Sequence, residues 1–446
     1  MLKQPKRRTS LHLFLVLALA LVFPGCGGGG GSTSYDTPST TSTGVVVNAT
    51  TVKDWVDSGK VNGTGYDKVV ILDIDTSSAS YATGHIPGAQ FVSWGSLIEN
   101  RNGGVLTDIN MVLDGPTMDA LVQQYGIDKN TTIVFTSARS TAGSISAYYF
   151  VGRAYWTFRY WGFPKDRLKV LNGLDAAYAD AYGLTGDASP VAPSTYSVRQ
   201  NPSFRGDLRA SLGEMIDIAD GKVPNAIVID TRGEDGDAYG TTTSSYNGDP
   251  LKTTGVYESG TYVVFEGHVK GGIAINSNYF FKTVTGTSQT YKVLLPASDM
   301  AALMAANGID STETSVVHCR TGVIASGAFM AIDGVLGWPV ANWDGSWSQW
   351  GMLSGSAANC GSLAANSPWR TDINGRTQDL TYNYPTGGLS DCSEIEDPTN
   401  GGVYPINSFD TNLNRINEED STYFSSSSGG GGTSGGGGSG GGPIGC

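Results

Sequence analysis

The chain has 446 residues, which is enough for two or three domains that each bury a core. Its formal net charge is −13, because 41 aspartates and glutamates outnumber 28 lysines and arginines. Proteins that bind nucleic acid or an anionic membrane surface hold it with clustered basic residues. The composition argues against such binding, and we expect no nucleic-acid partner.

Residues 1–26 have the pattern of an export signal. Basic residues at positions 3 to 8 are followed by an apolar run over residues 11–23 and by small residues just before Cys26. The run is shorter than the roughly 20 residues of a membrane-spanning helix, so we expect it to be removed. The residues Phe23-Pro24-Gly25-Cys26 resemble a bacterial lipobox, in which the cysteine is acylated and becomes the mature N-terminus. The alternative is plain cleavage and secretion, with Cys26 free.

The predicted location is the cell envelope. Gly27 follows Cys26 where an inner-membrane lipoprotein would have aspartate, so the resemblance implies an outer-membrane lipoprotein. Plain secretion would make the protein extracellular. Contact with the membrane would be through the lipid anchor only, and an envelope protein could be a partner. Residues 27–44 and 429–446 are rich in Gly, Ser and Thr, so we expect a flexible tether and a Gly-rich tail.

Two halves of the chain repeat one pattern. Each half has an apolar run that ends in aspartate, then a glycine-histidine motif, then a second apolar run that leads into a loop. The copies are residues 71–73, 84–89 and 133–136 in the first half, and residues 228–230, 267–272 and 316–319 in the second half. The spacing from Gly84 to Thr136 and from Gly267 to Cys319 is the same, 52 positions. The sequence therefore pairs Thr136 with Cys319.

The repeated pattern predicts two α/β domains. Short apolar runs are typical of buried parallel strands, and helix-like stretches lie between and after them. These stretches are residues 118–125, 145–152, 297–307 and 325–337. Strands that alternate with helices predict a parallel sheet flanked by helices. We expect two such domains in tandem, at residues 45–190 and 195–356, with Pro190 and Pro193 in the linker between them.

The same motifs resemble those of tandem-domain rhodaneses, the thiosulfate and mercaptopyruvate sulfurtransferases. The resemblance covers residues 45–356. It rests on the glycine-histidine motifs, on the strand that runs into residues 319–324, and on the later Asp344-Gly345-Ser346-Trp347-Ser348-Gln349-Trp350. It implies that Cys319 accepts a sulfur atom as a persulfide and passes it to cyanide or a thiol, without a cofactor. The residues that would cradle this sulfur are Arg320, Thr321, Gly322, Val323 and Ile324.

Cys319 needs an electropositive environment to react. A thiol attacks a sulfane sulfur as the thiolate, and an isolated cysteine, with a pKa of about 8.5, is mostly protonated at neutral pH. The loop after Cys319 leads into a predicted helix that starts at about residue 325. Amides at a helix start favour a nearby anion, and Gly322 would let the backbone curl around the sulfur.

The expected substrate is a small sulfur-containing anion. The Cys-Arg-x-Gly pattern resembles thiosulfate enzymes more than mercaptopyruvate enzymes, which usually have Cys-Gly-x-Gly. Thiosulfate enzymes commonly have lysine at the position of Thr321, so the donor preference stays open. Arg232 matches the family's other anion-binding arginine and could replace part of that charge. The alternative is that Arg232 is a surface residue in a salt bridge.

The first domain is predicted to be inactive. Thr136 stands where the second domain has Cys319, and Asp75 stands where it has Arg232. A threonine cannot form a persulfide. We expect the first domain to serve as a scaffold and as one wall of the active-site cleft, and a separate binding role for residues 136–139 stays open.

Histidines and tryptophans near these motifs have structural interpretations. His85 and His268 lie in the glycine-histidine turns, where we expect structural hydrogen bonds rather than catalysis. His318 precedes Cys319 and is expected to point to the other face of its strand. The tryptophans are expected in the core and the cleft wall, at Trp343, Trp347 and Trp350.

The remaining cysteines lie outside both predicted domains. Cys360 and Cys392 fall in residues 357–428, which we expect to be an irregular extension, and in an oxidising compartment a disulfide between them would staple it. Cys446, the last residue, could bond another chain or stay free. The sequence contains no heme motif and no Cys/His cluster with zinc spacing, so we expect no metal.

Two other functions fit the pattern less well. Phosphatases related to rhodanese need an arginine six positions after the cysteine, and Ala325 stands there. The stronger rival is a non-catalytic surface binding or accessory protein for a chalcogen oxyanion or an envelope redox complex. Export, the missing lysine and the flexible ends favour it. The intact loop from Cys319 to Gly322 favours sulfur transfer, which is the function that we predict from the sequence.

Overall fold

The structure, a computed structural model, describes residues 44–103, 107–138, 145–187, 190–232, 269, 271–350, 394–397, 402–405 and 412–426. These residues all lie in one compact unit. The predicted signal segment, the tether up to residue 43 and the tail lie outside them, as do His268, Cys26, Cys360, Cys392 and Cys446. The lipid anchor and the disulfide therefore stay predictions from the sequence.

The first half of the chain forms a parallel sheet of five strands. The strands of this half are β1 (Val46–Val47), β2 (Val69–Asp75), β3 (Gln90–Ser93), β4 (Glu99–Asn102), β5 (Thr107–Met111), β6 (Thr132–Thr136) and β7 (Leu168–Leu171). The sheet has the order β1-β7-β6-β2-β3 with every neighbouring pair parallel, and β4 and β5 form an antiparallel hairpin. All of β2 is buried, as expected of a strand covered on both faces.

The second half forms a smaller parallel sheet. The later strands are β8 (Ala226–Asp230), β9 (Ile273–Ala274), β10 (Phe281–Thr285), β11 (Thr290–Leu294), β12 (Thr314–His318), β13 (Val340–Asn342), β14 (Glu394–Asp397) and β15 (Gly402–Pro405). The sheet has the order β13-β12-β8-β9, all parallel, and the remaining strands pair as two antiparallel hairpins. The predicted α/β class with parallel sheets is confirmed. The bounds of two tandem domains stay a prediction, because both sheets lie in the same compact unit.

Helices alternate with the strands, as the sequence predicts. They are α1 (Ala49–Asp57), α2 (Ser78–Thr83), α3 (Gly115–Gln124), α4 (Ser146–Tyr160), α5 (Leu174–Tyr182), α6 (Leu212–Ala219), α7 (Ala297–Ala306), α8 (Val323–Ala331) and α9 (Arg415–Ser425). α8 begins two residues before the predicted start, because the left-handed backbone at Gly322 turns the chain directly into the helix. Within the described residues, no helix has both the length and the apolar character needed to cross a membrane.

A close contact between α4 and α8 joins the two halves. α4 is buried along most of its length, as expected of a helix without a polar face. A Cβ atom added to Gly152 of α4 would lie 2.6 Å from the carbonyl oxygen of Ser326 and 2.7 Å from the amide nitrogen of Gly327, both in α8. A side chain at position 152 would collide with backbone, so the two helices touch there through their backbones.

The C-terminal helix α9 corrects the prediction of an irregular extension over residues 357–428. Arg101 donates to both carboxylate oxygens of Asp420, at 2.7 and 2.8 Å. Tyr423 donates to the carboxylate of Asp119 at 2.6 Å. These contacts are polar and join positions 319 and 304 residues apart, so no apolar periodicity in the sequence reveals them.

Replacing Asp420 with alanine is expected to destabilise the protein. The change removes the bidentate partner of the buried Arg101 guanidinium, and the carboxylates of Glu99 and Glu419, at 3.6 and 3.5 Å, replace it only in part. Breaking a buried ion pair typically costs about 3 to 5 kcal/mol.

Glu418→Ala is the matched control, because Glu418 lies on the same helix, is exposed, and accepts a hydrogen bond from Asn412 rather than from Arg101. Urea denaturation followed by circular dichroism measures both variants. Equal losses of unfolding free energy would contradict the ion pair as the anchor of α9.

Candidate active site

Cys319 lies directly after β12, an inner strand of the second sheet. The carboxyl ends of parallel strands form the ligand-binding edge of α/β sheets. The thiol is free, and the residue is only 1% exposed, so solvent has little access to it. α8 begins four positions later at Val323. The first amides of a helix have no partner within the helix, and the positive end of its dipole favours an anion such as a thiolate.

A second loop, which contains the Asp-Gly-Ser-Trp sequence, holds the loop after Cys319. The amide of Trp347 donates to the carbonyl oxygen of Cys319 at 3.1 Å, and the amide of Ser348 donates to the carbonyl oxygen of Arg320 at 2.8 Å. The amide of Cys319 in turn donates to Oγ of Ser346 at 3.2 Å. These bonds restrict the loop, so the backbone that carries the thiol is fixed.

Gly322 allows the two loops to approach each other. Its φ is +71°, in the left-handed region that favours glycine. A Cβ atom at this position would lie 2.4 Å from Cα of Asp344. Any other residue would strain the backbone and push the loops apart, which gives the predicted tight curl a physical cause.

The other residues of the predicted cradle follow Cys319 into the first turn of α8. Thr321 and Val323 are buried, whereas Arg320 and Ile324 are half-buried. The structure thus brings the predicted cradle together around the end of β12. The part that each side chain plays in binding a sulfur donor stays a prediction.

Arg232 is buried beside these loops. It is 4% exposed, and its Nε and Nη2 donate to the carboxylate of Asp230 at 2.9 and 2.5 Å. Its guanidinium lies 5.2 Å from the ring centroid of Trp347. The alternative that Arg232 is a surface residue in a salt bridge is therefore half wrong: Arg232 forms a salt bridge with Asp230, but it is buried. Burial raises the pKa of Asp230, but the charge and hydrogen bonds of Arg232, with a further contribution from His318, together hold this pKa below its ordinary value.

The described histidines have the surroundings of structural residues. His318 is fully buried, with Nε2 at 3.5 Å from the carboxylate of Asp230, and burial lowers its pKa, so the ring is neutral near pH 7. The ring nitrogens of His85 lie 2.8 Å from the carbonyl oxygen of Tyr81 and 3.0 Å from that of Asp187. The structural interpretation of His85 is confirmed by these contacts.

Residues of the first half bind the second loop directly. The amide of Val112, just after β5, donates to Oδ2 of Asp344 at 2.9 Å. Gln349 donates to the carboxylate of Asp108 in β5 at 2.7 Å. Arg209 completes the arrangement with an ion pair to Asp344, at 2.8 Å. Asp108 and Arg209 are not predicted from the sequence, because neither lies in a motif near Cys319.

Strand register corrects the pairing of Thr136 with Cys319. In the first sheet, Thr136 at the end of β6 lies opposite Asp73 of β2. In the second sheet, His318 at the end of β12 lies opposite Asp230 of β8. Thr136 therefore corresponds to His318. The counterpart of Cys319 is therefore Ser137, one position later. A spacing counted through loops misses the offset, because loops vary in length. Serine cannot form a persulfide either, so the predicted inactivity of the first half does not depend on this correction.

A buried pair of carboxyl groups lies at the end of β6. Thr136 donates to Oδ1 of Asp175 at 2.6 Å, and the amide of Ala138 donates to Oδ1 of Asp73 at 2.8 Å. Burial raises the pKa of Asp175 to about 6. Burial, and then the charge of Asp175, raises the pKa of Asp73 well above its ordinary value. The two carboxyl groups are close enough for the charge of Asp175 to disfavour ionisation of Asp73.

Several known proteins resemble this chain over most of their length. No family model matches it. It is 26% identical over 321 residues to "Putative thiosulfate sulfurtransferase" of Haloferax volcanii, covering 71% of this chain and 96% of that protein. It is 26% identical over 290 residues to "Sulfur carrier protein TtuD" of Thermus thermophilus, covering 65% and 90%. It is 26% identical over 293 residues to "Thiosulfate sulfurtransferase" of Corynebacterium glutamicum, covering 64% and 82%. These relatives support a rhodanese-type sulfurtransferase.

Solved structures of EanB share the fold. A tyrosine variant of EanB, carrying a cysteine persulfide in a tetrahedral intermediate state with ergothioneine, aligns with a TM-score of 0.51 and 17% identity over 69% of this chain and 68% of that chain. A cysteine-to-serine variant in complex with hercynine aligns with a TM-score of 0.51 and 18% identity over 69% and 67%. At such identity the likeness concerns the fold alone.

Gly322→Ala is expected to lower the free energy of unfolding more than Gly337→Ala does. Gly337→Ala is the matched control, because Gly337 has a φ of +69° but open space around its missing Cβ. Both variants carry the left-handed strain of about 1 kcal/mol, and the collision with Asp344 should add about 1 to 3 kcal/mol at Gly322 alone. Urea denaturation compares them. Equal destabilisation would contradict the close approach of the two loops.

Asp175→Asn is expected to make the free energy of unfolding depend less on pH between pH 4.5 and pH 7. A carboxyl whose pKa is raised by folding stabilises the protein fully below its unfolded pKa of about 3.9, and this stabilisation is lost as the pH rises through about 6. The wild type should therefore lose on the order of 2 kcal/mol relative to the variant between pH 4.5 and pH 7. Urea denaturation at both pH values gives the difference. Parallel profiles would contradict a raised pKa of Asp175 in the folded protein.

Proposed function

We propose that the protein is a sulfurtransferase that moves a sulfane sulfur from thiosulfate or a related donor to a thiophilic acceptor through a persulfide on Cys319. The observation that carries the proposal is a free thiol at the carboxyl end of an inner parallel strand, four positions before the start of α8. The relatives named for sulfur transfer point to the same chemistry.

The reaction takes place in two displacements at sulfur. The Cys319 thiolate attacks the outer sulfur of thiosulfate, so that a bond forms between the two sulfurs, the sulfur–sulfur bond of thiosulfate breaks, and sulfite leaves with the bonding electron pair. The carbon of cyanide then attacks the outer sulfur of the persulfide. Thiocyanate forms, the persulfide bond breaks, and Cys319 is again a thiolate. No external oxidant or reductant is consumed.

Burial of Cys319 suits this cycle. A persulfide anion is reactive, and a residue that is 1% exposed is shielded from adventitious thiols and water. The dipole of α8 would stabilise the anion in both of its forms, thiolate and persulfide. The hydrogen bonds from Trp347 and Ser348 to the loop keep the sulfur in place while donor and acceptor exchange.

Thiosulfate is the donor that we favour over mercaptopyruvate. The Cys-Arg-x-Gly sequence at Cys319 and the names of the relatives support this choice. Thr321 offers no charge for the sulfonate group of the donor, so a cation must come from elsewhere in the site. The cell envelope stays our proposed location, on the evidence of residues 1–26 alone.

Cys319→Ser is expected to abolish sulfur transfer from thiosulfate to cyanide. A hydroxyl cannot form a persulfide, so thiocyanate production should fall to the rate without protein. Cys446→Ser, in the Gly-rich tail, is the control that removes a thiol and should retain wild-type turnover. Thiocyanate formation by the full-length protein measures all three. If the wild type gives no turnover with thiosulfate or mercaptopyruvate, the non-catalytic binding function becomes the better proposal.

A further inference from the structure

Arg153 is a fully buried arginine in the middle of α4, contributed by the first half of the chain. It is 0% exposed, and its Nη2 donates to the carbonyl oxygen of Asn110 at 2.5 Å. Its Nε and Nη1 are buried as well and have no hydrogen-bond partner among the described residues. The guanidinium lies 4.6 Å from the ring centroid of Trp156, which offsets part of the cost of burying unpaired donors. Within the described residues no anion pairs with it to offset the rest, so the arrangement favours a bound anion.

Arg153 follows the glycine at which the two halves touch. Gly152 lies against the backbone of Ser326 and Gly327, in the first two turns of α8. The same helix begins directly after the loop that carries Cys319. The contact therefore brings the part of α4 that carries Arg153, a guanidinium with no ion pair among the described residues, close to the predicted sulfur-transfer loop of the second half.

Two other buried cations of this region, apart from the half-buried Arg320 of the cradle, form ion pairs. Arg209 forms an ion pair with Asp344 at 2.8 Å, and Arg232 forms one with Asp230. For Arg153, no ion pair is present among the residues that the structure describes. Its positive charge is thus the least neutralised of the three.

Cys319 is one of the ionisable groups that act on Arg153. Burial lowers the pKa of Arg153 to about 10, and Asp344 and Cys319 oppose this effect while Arg209 adds to it. Arg153 therefore stays protonated near neutral pH. A guanidinium that stays charged beside this loop is available to stabilise an anion in it.

We propose that Arg153 supplies the positive charge that stabilises the anionic sulfur of Cys319 and receives the anionic group of the sulfur donor. This inference rests on the proposed function, in which Cys319 is the nucleophile. Arg153 takes the place of the cation that the loop lacks at Thr321. The sulfur-transfer site is then shared between the halves: the second half contributes the thiol, and the first half contributes the charge.

The pH dependence of Cys319 alkylation tests this inference without requiring turnover. The full-length protein is treated with iodoacetamide at a series of pH values, and the Cys319 peptide is quantified by mass spectrometry. In Arg153→Gln, which keeps a polar side chain without the charge, the midpoint of the profile should move up by about one pH unit, so that alkylation slows roughly tenfold at pH values below the midpoint. Arg153→Lys keeps the charge and should stay near the wild type. Arg153→Met serves as a second uncharged variant if Arg153→Gln does not fold.

A matched control separates charge from packing. Arg159 lies on the same helix, is equally enclosed, and is paired with Asp333 at 3.1 Å. Arg159→Gln should lower stability without moving the alkylation profile. The other titratable or charged groups near the sulfur, Arg320, Asp344, Arg209, His318, Asp230 and Arg232, are unchanged in every variant.

The outcomes separate the two proposals. A wild-type alkylation profile in both Arg153→Gln and Arg153→Met would overturn the role of Arg153, even if thiosulfate still forms a persulfide on Cys319. A shifted profile in a protein that forms no persulfide would uphold the charge contact and reject sulfur transfer. A tenfold or greater rise in the KM for thiosulfate in Arg153→Gln, with partial recovery in Arg153→Lys, would support binding of the donor anion.

Discussion

The backbone contact between α4 and α8 at Gly152 is the constraint on which the candidate site depends. Because a Cβ atom at this position would lie 2.6 Å from a backbone oxygen, the helices can approach this closely only with glycine there. The contact brings the end of β5 within hydrogen-bond distance of the loop that holds Cys319 in place. A side chain at position 152 would separate the thiol from the charges that surround it.

The first half of the chain thus has a part in the site although it lacks a thiol. Ser137 occupies the position that corresponds to Cys319, next to two buried carboxyl groups whose pKa values are raised. The first half contributes to the site through two polar side chains, Asp108 and Arg153. Buried ion pairs such as Arg209 with Asp344 add little net stability once desolvation is counted, but they are costly to break, which fixes the arrangement of the loops.

The sequence predicted the parts of the structure that depend on local patterns. Buried apolar runs marked β2 and β12, and the position of Cys319 after a strand identified the candidate nucleophile. The one-residue offset at Thr136 was missed, because register is set by pairing between strands rather than by spacing along the chain. α9 and Arg153 were missed because their partners lie far away in the sequence, and an arginine within an aromatic helix gives no sign of its surroundings.

The central claim is that Cys319 carries sulfur. The most direct measurement is mass spectrometry of the Cys319 peptide after the full-length protein has been incubated with thiosulfate and trapped with an alkylating reagent. We predict that this peptide gains the mass of one sulfur atom, and that the gain disappears when cyanide is added before trapping. A Cys319 peptide that stays an unmodified thiol under these conditions, in folded protein, would contradict the claim.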